Sequence, residues 1–205
     1  MHARPLKCNG DLAAVDLLAP HPCHRAEPVW RVAARWHRQD VPDTVRGWLL
    51  DPASLTRRLQ FACTGAFGVQ LLAQRWARPQ QNEVQVLGMR AGSRALIREV
   101  YLGCDRQPWV YARTVIPGTT LTGSRRRLAY LKNRPLGAML FADPHMARGP
   151  VELARLMPGD SLYAAATCHL VSRPEWIWGR RSLFRLGGAP LLVSEIFLPG
   201  IPPCR

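Results

Sequence analysis

The chain has 205 residues, of which 47% are apolar, and this length accommodates one domain with a single hydrophobic core. Lysine and arginine together number 28 against 14 acidic residues, which gives a net charge of +14 at pH 7. Only Lys7 and Lys132 are lysines, and arginine is spread over nearly every segment, so we interpret the charge as a compositional preference and not as a nucleic-acid-binding surface. The 16 glycines and 18 prolines stay below the fraction typical of low-complexity chains, which excludes global disorder.

The N-terminal stretch, residues 1–27, is rich in proline, histidine and charge and is predicted to be a loosely ordered leader. Residues 28–205 are predicted to form the domain. No apolar run in the sequence is long enough for a signal peptide or a membrane span. His21, Cys23 and His24 form the single metal-like cluster, which we interpret as a chance grouping, so no metal site is predicted.

Six cysteines are distributed along the chain without the spacing of a disulfide framework or a zinc site. They are Cys8, Cys23, Cys63, Cys104, Cys168 and Cys204. Reduced thiols and a cytoplasmic location are therefore expected.

The predicted elements begin with two helices. One covers residues 44–50 after a proline and acidic residues, and the next starts at the N-cap Ser54 and continues to Phe61. Period-two alternation then predicts four strands, at residues 67–76, 84–89, 95–102 and 109–116.

The second half of the chain combines short apolar pieces with further strands. A short helix is predicted at 125–131 and an apolar piece at 135–141, and strands are predicted at 161–171, 176–186 and 190–198. Grouped strands with few crossover helices favour an antiparallel α+β domain over a parallel sheet.

Charged residues lie inside three of the predicted strands. Side-chain alternation places Arg98 on the same face as Leu96 and Val100, and Arg113 and Glu195 also share faces with apolar residues. A buried charge needs a partner or a ligand.

Two explanations fit these charges. Glu195 can neutralise Arg98 or Arg113 within the sheet, or the faces can lie on the solvent side of an edge. Alternatively, two arginines and one carboxylate leave a net positive interior that suits a small acid bearing one or two carboxylates. The presence of all three charges favours such a ligand pocket.

Common nucleotide, hydrolase and zinc-protease motifs are missing from the sequence: it contains no GxGxxG, GxxxxGK[ST], GxSxG or HExxH. No cofactor is therefore predicted.

Five short motifs resemble, in the same order, those of the chorismate pyruvate-lyase family. They are Ile-Arg-Glu-Val at 97–100, Gln-Pro-Trp through Arg-Thr-Val-Ile-Pro at 107–117, Arg-Pro-Leu-Gly through Leu-Phe at 134–141, Trp-Gly-Arg-Arg-Ser at 178–182, and Pro-Leu-Leu-Val-Ser-Glu-Ile-Phe-Leu-Pro at 190–199. The resemblance implies a single domain built on a six-stranded antiparallel sheet with peripheral helices.

The resemblance also implies the site residues. Arg98 matches the arginine that binds the substrate carboxylate in that family, and Glu195 matches the glutamate before the terminal Phe-Leu-Pro. Both are implied to be catalytic. Leu136 and Leu55 match apolar positions that bind substrate, Leu55 replacing a usual methionine, and we add Arg113 as the group that binds the departing carboxylate.

The implied reaction is the cofactor-independent conversion of chorismate to 4-hydroxybenzoate and pyruvate, the first committed step that supplies the ubiquinone ring. Hydrogen transfer through Glu195 and transfer within the substrate both remain open. A monomer is expected, with chorismate as its small-molecule partner.

The alternative is a non-enzymatic ligand-sensing module of the same fold that binds a small carboxylate. A nucleic-acid partner is disfavoured, because the tryptophans and tyrosines follow strand patterns typical of a core.

Overall fold

A computed structural model of the protein describes residues 26–204. The predicted leader therefore lies outside the described residues except for Ala26 and Glu27. Ala26 forms a parallel bridge with a later loop, and the carboxylate of Glu27 accepts a hydrogen bond from the backbone N–H of Gln81 at 2.6 Å. These two residues are part of the fold.

Eight strands and five α-helices make up the described part of the chain. The strands are β1 (Arg31–Val32), β2 (Phe67–Ala77), β3 (Ala95–Cys104), β4 (Gln107–Pro117), β5 (Met146–Arg148), β6 (Glu152–Leu156), β7 (Ile177–Leu186) and β8 (Ala189–Phe197). The helices are α1 (Asp43–Leu49), α2 (Leu55–Ala62), α3 (Gln81–Leu87), α4 (Leu136–Phe141) and α5 (Ser161–Thr167). Short 3-10 segments cover Ala33–Arg35, Arg38–Asp40, Gly118–Thr120 and Gly123–Tyr130.

All strands join one antiparallel sheet in the order β1-β6-β7-β8-β4-β3-β2, and β5 adds to β7. The predicted single α+β domain with an antiparallel sheet is confirmed, but the expected six strands are wrong, since the sheet has eight. The shortest strands, β1, β5 and β6, span two, three and five residues, so their alternation gives little sequence signal.

Two predicted strands are helices in the structure. Residues 84–89 fall largely in α3, whose start is fixed by reciprocal hydrogen bonds between Gln80 and Glu83. Residues 161–171 contain α5, which follows Asp160 and includes three consecutive alanines. In both cases the helix start signal and helix propensity outweigh the apolar pattern from which strands were predicted.

One cysteine prediction is also wrong. Cys63 and Cys104 form a disulfide, with Cα atoms 5.5 Å apart across a sequence separation of 41 residues. Cys63 directly follows α2 and Cys104 ends β3, so the bond ties the end of this helix to the sheet. Only the tertiary fold brings these two cysteines together, and their spacing in the sequence does not predict that they pair.

Helices cover both faces of the sheet. On one face, Leu59 of α2 belongs to a buried cluster with Val100, and Leu140 of α4 belongs to one with Val193. On the other face α3 and α5 pack over the odd-numbered residues of β3, such as Ile97. Among residues 26–204, no helix is long and apolar enough to cross a membrane.

Candidate active site

The register of three adjacent strands, β3, β4 and β8, brings the candidate residues together. Arg98 on β3 lies opposite Thr114 on β4, and Thr114 lies opposite Val193 on β8. Two residues earlier in β4, Ala112 lies opposite Glu195 on β8. Directly opposed residues point to the same side of a sheet, and so do residues two apart in one strand, such as Thr114 and Ala112. Arg98 and Glu195 therefore share the face covered by α2 and α4.

A cavity that opens to solvent lies on this face. The walls are mainly apolar, with Arg98 and Glu195 as the charged groups. The lining residues are Thr56, Val69, Arg98, Val100, Leu102, Ala112, Thr114, Pro135, Leu136, Gly137, Leu140, Phe141, Phe184, Val193 and Glu195.

Arg98 is a buried cation that has no carboxylate within ion-pairing distance among the described residues; it is 2% exposed. Its Nη2 donates to the carbonyl oxygens of Lys132 and Arg134, each at 2.9 Å, whereas its buried Nε has no hydrogen-bond partner within residues 26–204. Burial lowers the pKa of Arg98 to about 10, so its guanidinium remains charged at neutral pH. An unneutralised buried guanidinium facing a cavity is suited to binding an anion.

The turn that meets Arg98 has an unusual backbone. Lys132 adopts a positive φ of 50°, a conformation that non-glycine residues rarely occupy. The Lys132 carbonyl is one of the two that accept from Arg98. Backbone strain of this kind concentrates at binding sites, where surrounding contacts maintain it.

Glu195 is held by Arg180, which lies directly opposite on β7. The Nε of Arg180 donates to Oε2 of Glu195 at 2.6 Å. Nη1 of Arg180 donates to the carbonyls of Trp48 and Asp51, both at 2.8 Å. One buried guanidinium thus fixes the Glu195 carboxylate relative to the end of α1 and the loop that follows it.

The two predicted apolar residues have different positions. Leu136, at the start of α4, lines the cavity. Leu55, the first residue of α2, is buried in the core beside the cavity, and its neighbour Thr56 supplies the wall there. A Cβ added to Gly137 would lie 2.9 Å from Oγ1 of Thr56, so glycine at this position allows α4 to approach α2 closely.

Arg113 does not belong to this cavity, and its prediction as a pocket residue is wrong. It pairs across the ladder with Glu99, so it points to the opposite face from Arg98. There its guanidinium forms ion pairs with Glu83, at 2.8 Å, and with Glu99, at 2.9 Å. Tyr111 also donates to Glu99, which completes a buried polar network beneath α3. Arg113 is neutralised by carboxylates of the protein itself.

No cluster of three or more histidine, cysteine or acidic side chains suited to a metal occurs within residues 26–204. The grouping of His21, Cys23 and His24 lies outside the described residues.

A comparison with protein families identifies the chain. The family described as chorismate lyase matches residues 29–203. The chain belongs to the chorismate lyase family.

This member of the chorismate lyase family has similar relatives in bacteria. It is 45% identical over 166 residues to the probable chorismate pyruvate-lyase of Aromatoleum aromaticum, covering 80% of this chain and 89% of that protein. It is 42% identical over 172 residues to the probable chorismate pyruvate-lyase of Pseudomonas aeruginosa, covering 82% and 93%.

The fold of this chorismate lyase family member also resembles that of a regulatory protein. A GntR-family transcriptional regulator from Bacillus cereus matches with a TM-score of 0.50 at 10% identity, covering 68% of this chain and 96% of that one. At this identity the likeness concerns the fold alone.

Strand alternation in this chorismate lyase family member predicts that one of Arg180 and Arg181 points inward, but the sequence assigned no site role to Arg180 or to Arg148, the two further arginines on the cavity face. Arg180 lies beside Arg181 in β7, and both are buried, although they point to opposite faces. Arg148 ends the short strand β5. The sequence is so rich in arginine that neither position is distinguished by its residue type. Arg180 is identified only by its pairing with Glu195 between β7 and β8.

Proposed function

We propose that this protein is a chorismate pyruvate-lyase, which converts chorismate to 4-hydroxybenzoate and pyruvate. One observation carries the proposal: in a chain of the chorismate lyase family, an unneutralised buried guanidinium, Arg98, faces the same apolar cavity as a positioned carboxylate, Glu195. Chorismate is an apolar ring with a carboxylate at one end and a hydroxyl at the other. Its two ends match the two charged groups of the cavity.

The substrate is proposed to lie along the sheet face. Arg98 binds the ring carboxylate through Nε, which has no partner among the described residues. Glu195 accepts a hydrogen bond from the ring hydroxyl, while Arg180 holds the carboxylate in place. Leu136 forms an apolar wall against the ring, and Leu55 supports the wall from behind through α2. Exclusion of water strengthens both polar contacts.

The reaction breaks the ether bond between the ring and the enolpyruvyl oxygen. The ring carbon that bears the hydroxyl loses its hydrogen as a proton, and the electron pair of that C–H bond completes the aromatic ring. The proton is added to the departing enolpyruvate, which becomes pyruvate. Aromatisation drives the step, so the protein contributes mainly orientation and electrostatic complementarity. Glu195 can carry the hydrogen, or the hydrogen can pass directly to the enolpyruvyl group within the substrate.

The product suggests a cellular role. 4-Hydroxybenzoate is a benzoquinone-ring precursor, and we propose that it enters ubiquinone synthesis as the first committed step. The cytoplasmic location and the monomeric state remain predictions.

Product identification tests the proposal. Purified protein incubated with chorismate should release 4-hydroxybenzoate, followed by its ultraviolet absorbance, and an equal amount of pyruvate, measured with lactate dehydrogenase. Correctly folded protein that binds chorismate without releasing either product would instead favour a ligand-sensing module.

Glu195→Gln separates the two hydrogen routes. Because glutamine keeps the shape but cannot take a proton, a loss of about 100-fold or more in kcat supports transfer through Glu195. A loss below about fivefold assigns the transfer to the substrate itself and leaves Glu195 a positioning role.

A further inference from the structure

The third arginine on the cavity face, after Arg98 and Arg180, is Arg148. Its Nε donates to Oγ of Ser182 at 3.0 Å, and its Nη1 donates to the carbonyl of Pro52 at 2.8 Å. The guanidinium carbon lies 5.4 Å from the ring centroid of Phe184. Arg148 therefore spans from β7 to the loop that leads into α2.

Arg148 lies on the same side of the sheet as the cavity. Its contacts Ser182 and Phe184 are on the face that Val193 and Glu195 occupy, because Ser182 is paired with Val193. Phe184, Val193 and Glu195 all line the cavity. The guanidinium of Arg148 thus lies against Phe184, an aromatic side chain of the cavity wall.

The charges on this face do not balance. Glu195 is paired with Arg180, and Asp51 is paired with Arg58. Among residues 26–204, no carboxylate lies within ion-pairing distance of Arg98 or Arg148. The face therefore carries two uncompensated positive charges.

The surroundings of Arg148 agree with this charge balance. Burial lowers its pKa, Arg180 lowers it further, and Glu195 and Asp51 act in the opposite direction without forming an ion pair. Arg148 is thus close enough to interact electrostatically with Glu195, and its Nη2 makes no hydrogen bond within residues 26–204.

Arg98 and Arg148 belong to opposite ends of one row of the sheet. Arg98, Thr114, Val193 and Ser182 lie opposite one another on four successive strands. Ser182 ends the row and accepts a hydrogen bond from Nε of Arg148, whose own strand, β5, adds to the far edge of β7. Three strand intervals of about 4.8 Å place the Cα atoms of Arg98 and Ser182 roughly 14 Å apart, and Thr114 and Val193 of the cavity wall lie between them.

We propose that Arg148 binds the enolpyruvyl carboxylate of chorismate, the role that Arg113 cannot fill. The inference rests on the proposed lyase function and adds a specificity-determining contact to it. Chorismate carries two carboxylates, which match Arg98 and Arg148, whereas 4-hydroxybenzoate retains only the ring carboxylate. Arg148 therefore contributes to substrate binding and not to retention of the aromatic product.

The test compares substrate and product in the same variant. In Arg148→Gln, kcat/KM for chorismate should fall roughly 10- to 100-fold, because a charged hydrogen-bonded contact is lost. The inhibition constant of 4-hydroxybenzoate should stay within about twofold of wild type. Arg148→Lys, which keeps the charge, should recover part of the loss, and Arg155→Gln, at an exposed position on β6, is the matched control expected to leave both constants unchanged.

Two results would overturn the inference. If kcat/KM and the affinity for 4-hydroxybenzoate fall in the same proportion, Arg148 merely supports the loop at Pro52. If neither changes, it does not contact the substrate. Both results presuppose an active wild type; an inactive but folded wild type would refute the lyase proposal itself.

Discussion

At the residue scale, two arginines on the cavity face have different environments. Arg98 has no acidic partner in the described part of the chain, whereas Arg180 is paired with Glu195 and donates to two backbone carbonyls. An arginine of the first kind is available to a ligand. One of the second kind orients another group, so we interpret Arg180 as a positioning residue for Glu195.

Replacing Arg180 tests this interpretation. Arg180→Gln should lower kcat/KM for chorismate by about 10- to 100-fold, because Glu195 loses the hydrogen bond that fixes it. Arg180→Lys should recover part of this loss, since it keeps the positive charge opposite the carboxylate. Steady-state kinetics with thermal unfolding as a parallel readout make the comparison. A folded Arg180→Gln protein with wild-type kinetics would show that Glu195 needs no such support.

At the scale of elements, the network of Arg113 connects α3 to the back of the sheet. Glu83 on α3 and Glu99 on β3 both depend on this guanidinium, and the three side chains are largely buried. Burial acts to raise the pKa of Glu99, but Arg113, Tyr111 and Arg75 together lower it below its usual value. The network is therefore a source of stability that depends on ionised carboxylates.

Arg113→Met should destabilise the fold without affecting the site. Glu83 loses its ion-pair partner and Glu99 keeps only Arg75 and Tyr111, which costs about 3–5 kcal/mol of unfolding free energy, measured by urea denaturation. The folded fraction should keep its KM for chorismate within about twofold. A large rise in KM with an unchanged unfolding free energy would restore Arg113 to the substrate site.

The same network gives a pH dependence. Since the pKa of Glu99 is lower in the folded than in the unfolded state, its contribution to stability is complete above the unfolded value, near 4.3. It is lost as the pH falls through the folded value. Wild-type unfolding free energy should therefore decline below about pH 4, and Glu99→Gln should flatten that decline.

At the scale of the whole molecule, the long central strands were predictable and their mutual register was not. Arg98 and Glu195 lie in strands with strong alternation, so the sequence predicts that each sits on an apolar face. Whether Arg113 shares the face of Arg98 depends on which residue lies opposite which, and a shift of one residue inverts the answer. Arg148, on a strand of three residues, gave no pattern to interpret.

The role of Arg98 as the anion-binding group is tested by the rate of 4-hydroxybenzoate formation from chorismate by the wild type and by Arg98→Gln. The control is Arg90→Gln, at an exposed position outside the cavity. We expect product from the wild type and the control, and a loss of at least about 10-fold in kcat/KM for folded Arg98→Gln. Equal rates in Arg98→Gln and the wild type, or no product from folded wild-type protein, would contradict the account.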